Sequence, residues 1–89
     1  MTTIRIPKRF YDDCVDCETR TPPIVRETKA HYYVDISQPD PDWGEPTTAE
    51  ETVQDFRSRA EYYADPFGFD REVLPICKSA KATLKALNK

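Results

Sequence analysis

The sequence is poor in the residues on which catalytic and phosphate-binding sites depend. It has two glycines, Gly44 and Gly68, and one histidine, His31, in 89 residues. A phosphate-binding loop needs several closely spaced glycines, and a catalytic histidine needs a nucleophile and an orienting acid beside it. Neither arrangement is visible. The sequence therefore predicts no enzyme, no catalytic residue and no cofactor.

Long apolar runs and a complete disulfide framework are also lacking. No stretch approaches the ~20 apolar residues of a membrane span, and the segment 1–5 lacks the apolar core of a signal peptide. The three cysteines are an odd number, and reduced thiols are typical of the cytosol. We therefore expect a cytoplasmic protein with no membrane contact.

What is present fits one folded domain spanning residues 1–89. Hydrophobic residues make up 38% of the chain, and the net charge of -3 is too small to favour disorder. The charges are unevenly distributed. Residues 30–56 hold seven acids and no lysine or arginine, whereas residues 71–89 hold five bases and one acid. This polarity either steers a partner or only favours solubility.

Alternating apolar residues predict two strands. In residues 2–6, Ile4 and Ile6 share one face, and Pro7 ends the strand or lies at its edge. Residues 28–36 alternate more regularly. One face, expected to be buried, carries Ala30, Tyr32, Val34 and Ile36. The other face, expected to be wet, carries Lys29, His31, Tyr33 and Asp35. We expect the two strands to pair.

Helical spacing follows in three places. Phe10, Cys14 and Cys17 predict a short helix within residues 8–18. Thr48 and Glu51 match a capping box that begins a helix reaching about residue 64, and a last helix is predicted over about 75–87. The prediction is an α+β fold, in which a small antiparallel sheet of two or three strands is packed by two main helices.

A zinc site is one candidate for chemistry. Cys14, Cys17, His31 and Cys77 are just enough ligands for a tetrahedral Cys3His site. Only the first two form a close pair, however, and both are also suited to the core side of a short helix. We therefore predict no metal, although the sequence leaves a zinc-stabilised module open.

A row of lysines is the second candidate. Spacings of three and four residues place them in one stripe along the last helix: Lys78, Lys81, Lys85 and Lys89. Such a stripe can bind nucleic-acid phosphates. Lysines near a helix C-terminus also stabilise the helix through its dipole, without any ligand.

Aromatic residues before the last helix are the third candidate. Tyr62, Phe67 and Phe69 are candidates for binding a protein partner through an apolar hot spot. Tyr62 and Tyr63 are adjacent, so one helix face cannot bury both, and one of them should lie at the rim. In the alternative interpretation this group closes the core beneath the loop.

Four stretches resemble small uncharacterised proteins of actinobacterial phages of the mycobacteriophage type. They cover about a third of the chain: Arg9-Phe10-Tyr11-Asp12-Asp13, His31-Tyr32-Tyr33-Val34, residues 60–68 and residues 79–87. That family has no assigned activity. The resemblance therefore implies a setting, the cytoplasm of an infected bacterium, and no mechanism.

The leading functional hypothesis from the sequence is a non-catalytic protein-interaction module. As a phage accessory protein it would bind a host or phage protein. The alternative is a small nucleic-acid-binding protein that uses the lysine stripe. The sequence identifies neither the partner nor the oligomeric state.

Overall fold

The computed structural model describes residues 2–65 and 73–88, except for the side chain of Val73. These residues form three strands and three helices. In chain order they are β1 (Thr3–Pro7), α1 (Lys8–Cys14), β2 (Ile24–Glu27), β3 (His31–Asp35), α2 (Ala49–Ala64) and α3 (Val73–Leu87). The α+β class predicted from the sequence is confirmed.

The three strands form one antiparallel sheet in the order β1-β3-β2. Ile4 lies opposite Val34 and Ile6 lies opposite Tyr32, so the predicted pairing of the two alternating strands is confirmed. The sequence pattern did not predict β2. All four of its residues are exposed and a bulge interrupts its register, so it lacks the regular apolar alternation by which strands are recognised.

The core lies between one face of the sheet and the helices. Ile6 and Val34 are completely buried on that face. Phe10 of α1 and Phe56 of α2 meet edge to face, with ring centroids 5.2 Å apart. This geometry is favourable for aromatic pairs and ties the two helices together. Ala80 lets α3 approach the same cluster closely.

Three expectations about burial are wrong. Ala30 was assigned to the buried face, yet it is exposed, since it precedes β3 in the connection from β2. Cys17 is also exposed, because α1 ends at Cys14 rather than continuing toward residue 18. Asp35 was assigned to the wet face but is 1% exposed. A local turn that covers its carboxylate explains that burial.

Helix α2 begins and faces as predicted, whereas α3 begins slightly earlier than predicted. The Thr48 hydroxyl accepts a hydrogen bond from the backbone N–H of Glu51 at 3.1 Å, which caps α2. Its predicted inner face is buried at Phe56 and Ala60. Helix α3 begins at Val73, slightly earlier than predicted, and Pro75 lies in its first turn, where an N–H would have no intrahelical partner. No helix in these described ranges combines the length and apolar character needed to cross a membrane.

Several acids of the acidic middle segment make internal contacts. The backbone N–H of Arg20 donates to Asp55 at 2.6 Å, and that of Thr21 donates to Asp40 at 2.8 Å. The Arg20 guanidinium contacts Glu51 at 3.2 Å and lies 5.3 Å from the centre of the Trp43 ring. These acids therefore attach residues 20–21, which precede β2, to the loop that precedes α2 and to α2 itself. Part of the acidic charge thus has a structural role.

Candidate functional site

The predicted aromatic contact is described only in part. Tyr62 is 59% exposed near the end of α2, whereas Tyr63 is half-buried against the core, so the prediction that one of them lies at the rim is confirmed. Their rings meet edge to face at 5.2 Å. Phe67 and Phe69, the other two residues of the predicted contact, lie outside the described residues.

The lysine stripe is exposed at Lys78, Lys81 and Lys85, and Lys89 lies outside the described residues. Of these three lysines, Lys85 alone lines the groove between β1 and α3 that is described below. The stripe is therefore divided: its C-terminal part borders a concave site, and its N-terminal part lies on open helix surface.

The possible zinc ligands have very different surroundings. Cys14 and Cys77 are buried, and Cys17 is exposed. Burial, with smaller contributions from the charges of Asp13 and Cys77, raises the pKa of the Cys14 thiol to about 11. At neutral pH the thiol of the metal-free protein is therefore protonated. Within residues 2–65 and 73–88, no three His, Cys, Asp or Glu side chains are grouped so that they could hold a metal ion.

The hydrogen bonds at the two ends of β1 show which of its backbone groups point away from β3. Ile36 N–H donates to the Thr2 carbonyl at 2.8 Å, and Lys8 N–H donates to the Ala30 carbonyl at 3.0 Å. In an antiparallel ladder the bonded residues alternate. The even-numbered residues of β1 therefore bond to β3, and the N–H and C=O groups of Thr3 and Arg5 point outward.

Pro7 occupies the third outward position of β1, opposite His31. Its nitrogen has no hydrogen to donate, and at this position no bond to β3 is lost. Among the described residues, no further strand pairs with β1 beyond β3. The edge thus presents two N–H groups, from Thr3 and Arg5, and three carbonyls, from Thr3, Arg5 and Pro7.

A groove of about 610 Å³ runs along this edge, between β1 and α3. Its lining comes from β1, β3, α3 and residues beside them, and it includes three basic residues, Arg5, His31 and Lys85. The other lining residues are Thr2, Thr3, Ile4, Pro7, Tyr33, Ile36, Ala82 and Ala86. None of these described lining residues is acidic. The guanidinium and the ammonium give the groove positive charge in a protein whose net charge is -3, and positive surfaces attract anionic groups.

The basic character continues onto the open face of the sheet. Arg5 lies opposite Tyr33 in the register, and Arg26 holds its guanidinium 5.3 Å from the centre of the Tyr33 ring. Two acids of β2 and β3 are engaged in other contacts. Glu27 pairs with Lys8 at 3.0 Å, and Asp35 bonds to its own turn. Tyr33 is therefore flanked by two arginines on the face of the sheet opposite Val34.

Sequence reasoning missed Arg5 and Arg26 as site residues, because they belong to different strands and share no spacing pattern. One signal was available. The alternation that placed Ile4 and Ile6 inward also places Arg5 on the same face as His31 and Tyr33. The position of α3 beside that edge had no counterpart in the sequence.

Comparison with known proteins gave no match: no protein-family model, no curated protein and no solved structure resembles the chain at a significant level. Fold and site together define a small α+β protein with a basic groove along a strand edge that, within residues 2–65 and 73–88, pairs with no second strand. Its function is inferred from that chemistry.

Proposed function

We propose that this protein is a non-catalytic protein-interaction module that binds an acidic region of a partner protein in the groove between β1 and α3. The observation that carries the proposal is the juxtaposition of the outer β1 edge with Arg5, His31 and Lys85. In the setting that the phage resemblance implies, the partner is a host or phage protein in the bacterial cytoplasm.

The groove has the mixed character of a recognition site. Ile4, Ile36 and the small side chains of Ala82 and Ala86 supply apolar surface, while the basic groups select for charge. Recognition sites commonly combine an apolar floor with a few oriented polar groups. Charge complementarity of this kind mainly accelerates association and excludes partners of the wrong sign.

The aromatic residues Tyr62, Phe67 and Phe69 remain a second proposed contact with the partner. The exposure of Tyr62 supports this part of the proposal. Exposed aromatic side chains supply much of the binding energy in many interfaces. Tyr62→Ala should therefore weaken partner binding if the interface extends to the end of α2.

The proposed function is tested by charge reversal with a matched control. Tagged wild-type protein, Lys85→Glu and Lys78→Glu are used to capture partners from a lysate of infected host cells. Lys78 and Lys85 are both exposed lysines of α3, but only Lys85 lines the groove. Loss of an acidic partner with Lys85→Glu and its retention with Lys78→Glu are expected. Equal capture by all three proteins would contradict the proposal.

A second candidate function is nucleic-acid binding, which is favoured by Tyr33 between two arginines. An aromatic ring on a basic sheet face can stack a base while the arginines contact phosphates. The net charge and the acidic middle segment disfavour it. If it is correct, a single-stranded oligonucleotide binds at micromolar or tighter Kd at physiological salt. The double variant Lys81→Glu, Lys85→Glu then loses that binding, and log affinity falls by about 0.7 per phosphate contact for each unit of log salt.

A further inference from the structure

We propose that the partner binds by adding a β-strand: an extended acidic segment of the partner protein pairs with the outer edge of β1 and lies in the groove against α3. This inference rests on the proposed function and specifies its mode of binding. It is carried by the direction of the β1 backbone groups, by the side chains on either side of the edge and by the sign of their charge.

The backbone supplies the pairing groups. Thr3 and Arg5 each present an N–H and a C=O away from β3, as the bonds Ile36–Thr2 and Lys8–Ala30 at the two ends of the ladder require. A segment with its own N–H and C=O groups can satisfy all four. Pro7 offers a carbonyl and no donor, so pairing weakens at that end of the strand. Main-chain pairing of this type gives affinity with little dependence on the partner's sequence.

The side chains then select which segment fits. Successive residues of an added strand point to opposite faces of the sheet. On the open face they meet Arg5 and His31, and on the other face they meet Ile4 and the small side chains of Ala82 and Ala86. We therefore expect a segment in which acidic residues alternate with small apolar residues.

A second copy of this chain is a poor occupant. If two β1 strands paired about a two-fold axis and used all three outward positions, Arg5 would face Arg5. Like charges directly opposite each other destabilise a strand pair. Lys85 lines the same groove and would add a further positive charge from each copy. The charges that repel a second copy attract an acidic strand.

A nucleic acid would also be attracted by these charges, but it would leave the edge unpaired. Its phosphates accept hydrogen bonds and have no N–H groups to complete the alternating ladder. Protection of the Thr3 and Arg5 amides thus distinguishes an added strand from an anion held by side chains alone.

The experiment measures amide hydrogen exchange by NMR in the intact protein, with and without a synthetic peptide that alternates aspartate and valine. In the free protein the Ile4 and Ile6 amides should exchange slowly and the Thr3 and Arg5 amides rapidly. With the protein about nine-tenths bound, exchange at Thr3 and Arg5 should slow by about tenfold, because it then proceeds from the remaining free fraction. A peptide of the same composition with its aspartates in one block should protect these amides much less.

A matched pair of variants tests the backbone contribution. Thr3→Pro replaces the threonine side chain and removes the outward N–H, whereas Thr3→Ala removes the side-chain hydroxyl and methyl but keeps the N–H. Neither changes a bond to β3. We expect Thr3→Pro to bind the alternating peptide about tenfold more weakly than Thr3→Ala, as loss of one hydrogen bond at a closed interface predicts. Urea midpoints that agree between the two variants show that folding is preserved.

The other outcomes overturn the inference in distinguishable ways. One such outcome is that Arg5→Glu abolishes peptide binding while the peptide leaves the Thr3 and Arg5 amides of the wild-type protein unprotected. The groove then binds acidic segments through side chains only, and the proposed function stands without strand addition. Protection of both amides in the free protein, together with a dimer by size exclusion, identifies a second copy as the occupant. No binding at millimolar peptide, or tighter binding of an oligonucleotide, rejects the added strand. If Lys85→Glu also leaves partner capture unchanged, the proposed function fails with it.

Discussion

The carboxylate of Asp35 accepts two hydrogen bonds from Ser37, one from its hydroxyl at 2.5 Å and one from its backbone N–H at 3.0 Å. This turn ends β3 and explains how a charged residue can be buried on a face where the sequence pattern predicts exposure. Both bonds favour the ionised carboxylate, and the hydroxyl is the larger cause of the lowered pKa of Asp35.

The first prediction is that acid destabilises the protein partly through Asp35. Its pKa is lower in the folded state than the unfolded value of about 3.9, so its contribution is present above about pH 4 and is lost as pH falls through the folded pKa. Urea midpoints measured from neutral pH to pH 2 should decline less steeply for Asp35→Asn than for wild type. Ser37→Ala should raise the folded pKa of Asp35 and move this loss to a higher pH. Parallel profiles for the three proteins would show that Asp35 is not the titrating group.

The second prediction concerns the two faces of β3. Val34 is completely buried among core residues, whereas His31 is half-buried at the groove. Val34→Asp places a carboxylate in the core and should cost several kcal/mol, roughly the whole stability of a small domain. His31→Ala should shift the urea midpoint only slightly. Equal losses for both variants would mean that the strand register is different.

The third prediction is that the cysteines differ sharply in reactivity. Cys17 is exposed, whereas Cys14 is buried and has its pKa raised to about 11. Near pH 8, a thiol reagent such as dithionitrobenzoate should modify Cys17 first and reach Cys14 and Cys77 only when the protein unfolds. Mass spectrometry after limited labelling identifies the modified site, and Cys17→Ser removes the rapid phase as a control. Prompt labelling of Cys14 in folded protein would contradict its placement in the core.

The fourth prediction is that folding needs no metal. The buried aromatic and aliphatic cluster around Phe10 and Phe56 supplies a core without one. Near-UV circular dichroism should therefore be unchanged by a chelator such as EDTA. If zinc were structural, its binding energy would be folding energy and the chelator would unfold the chain. One zinc per chain by elemental analysis, together with such unfolding, would refute the prediction.

Local patterns were sufficient where a residue's neighbours in sequence decide its environment. The alternation around Val34 predicted the buried face of β3, and the spacing of Phe56 and Ala60 predicted that of α2. Thr48 and Glu51 predicted the start of α2 because a cap is a contact between residues three apart. Cys17 was misplaced since helical spacing alone does not indicate where a helix ends.

The candidate site depends on relationships that no local pattern contains. The sequence by itself determined that β1 alternates, that Arg5 and Ile4 face opposite ways and that α3 carries a lysine stripe. Only the tertiary structure decided that β1 is an edge strand, that Lys85 rather than Lys78 borders its groove and that Arg26 of β2 lies over Tyr33. The physical reason is that periodicity reports which side of an element is buried, whereas packing of distant elements around a shared core decides which polar sides meet.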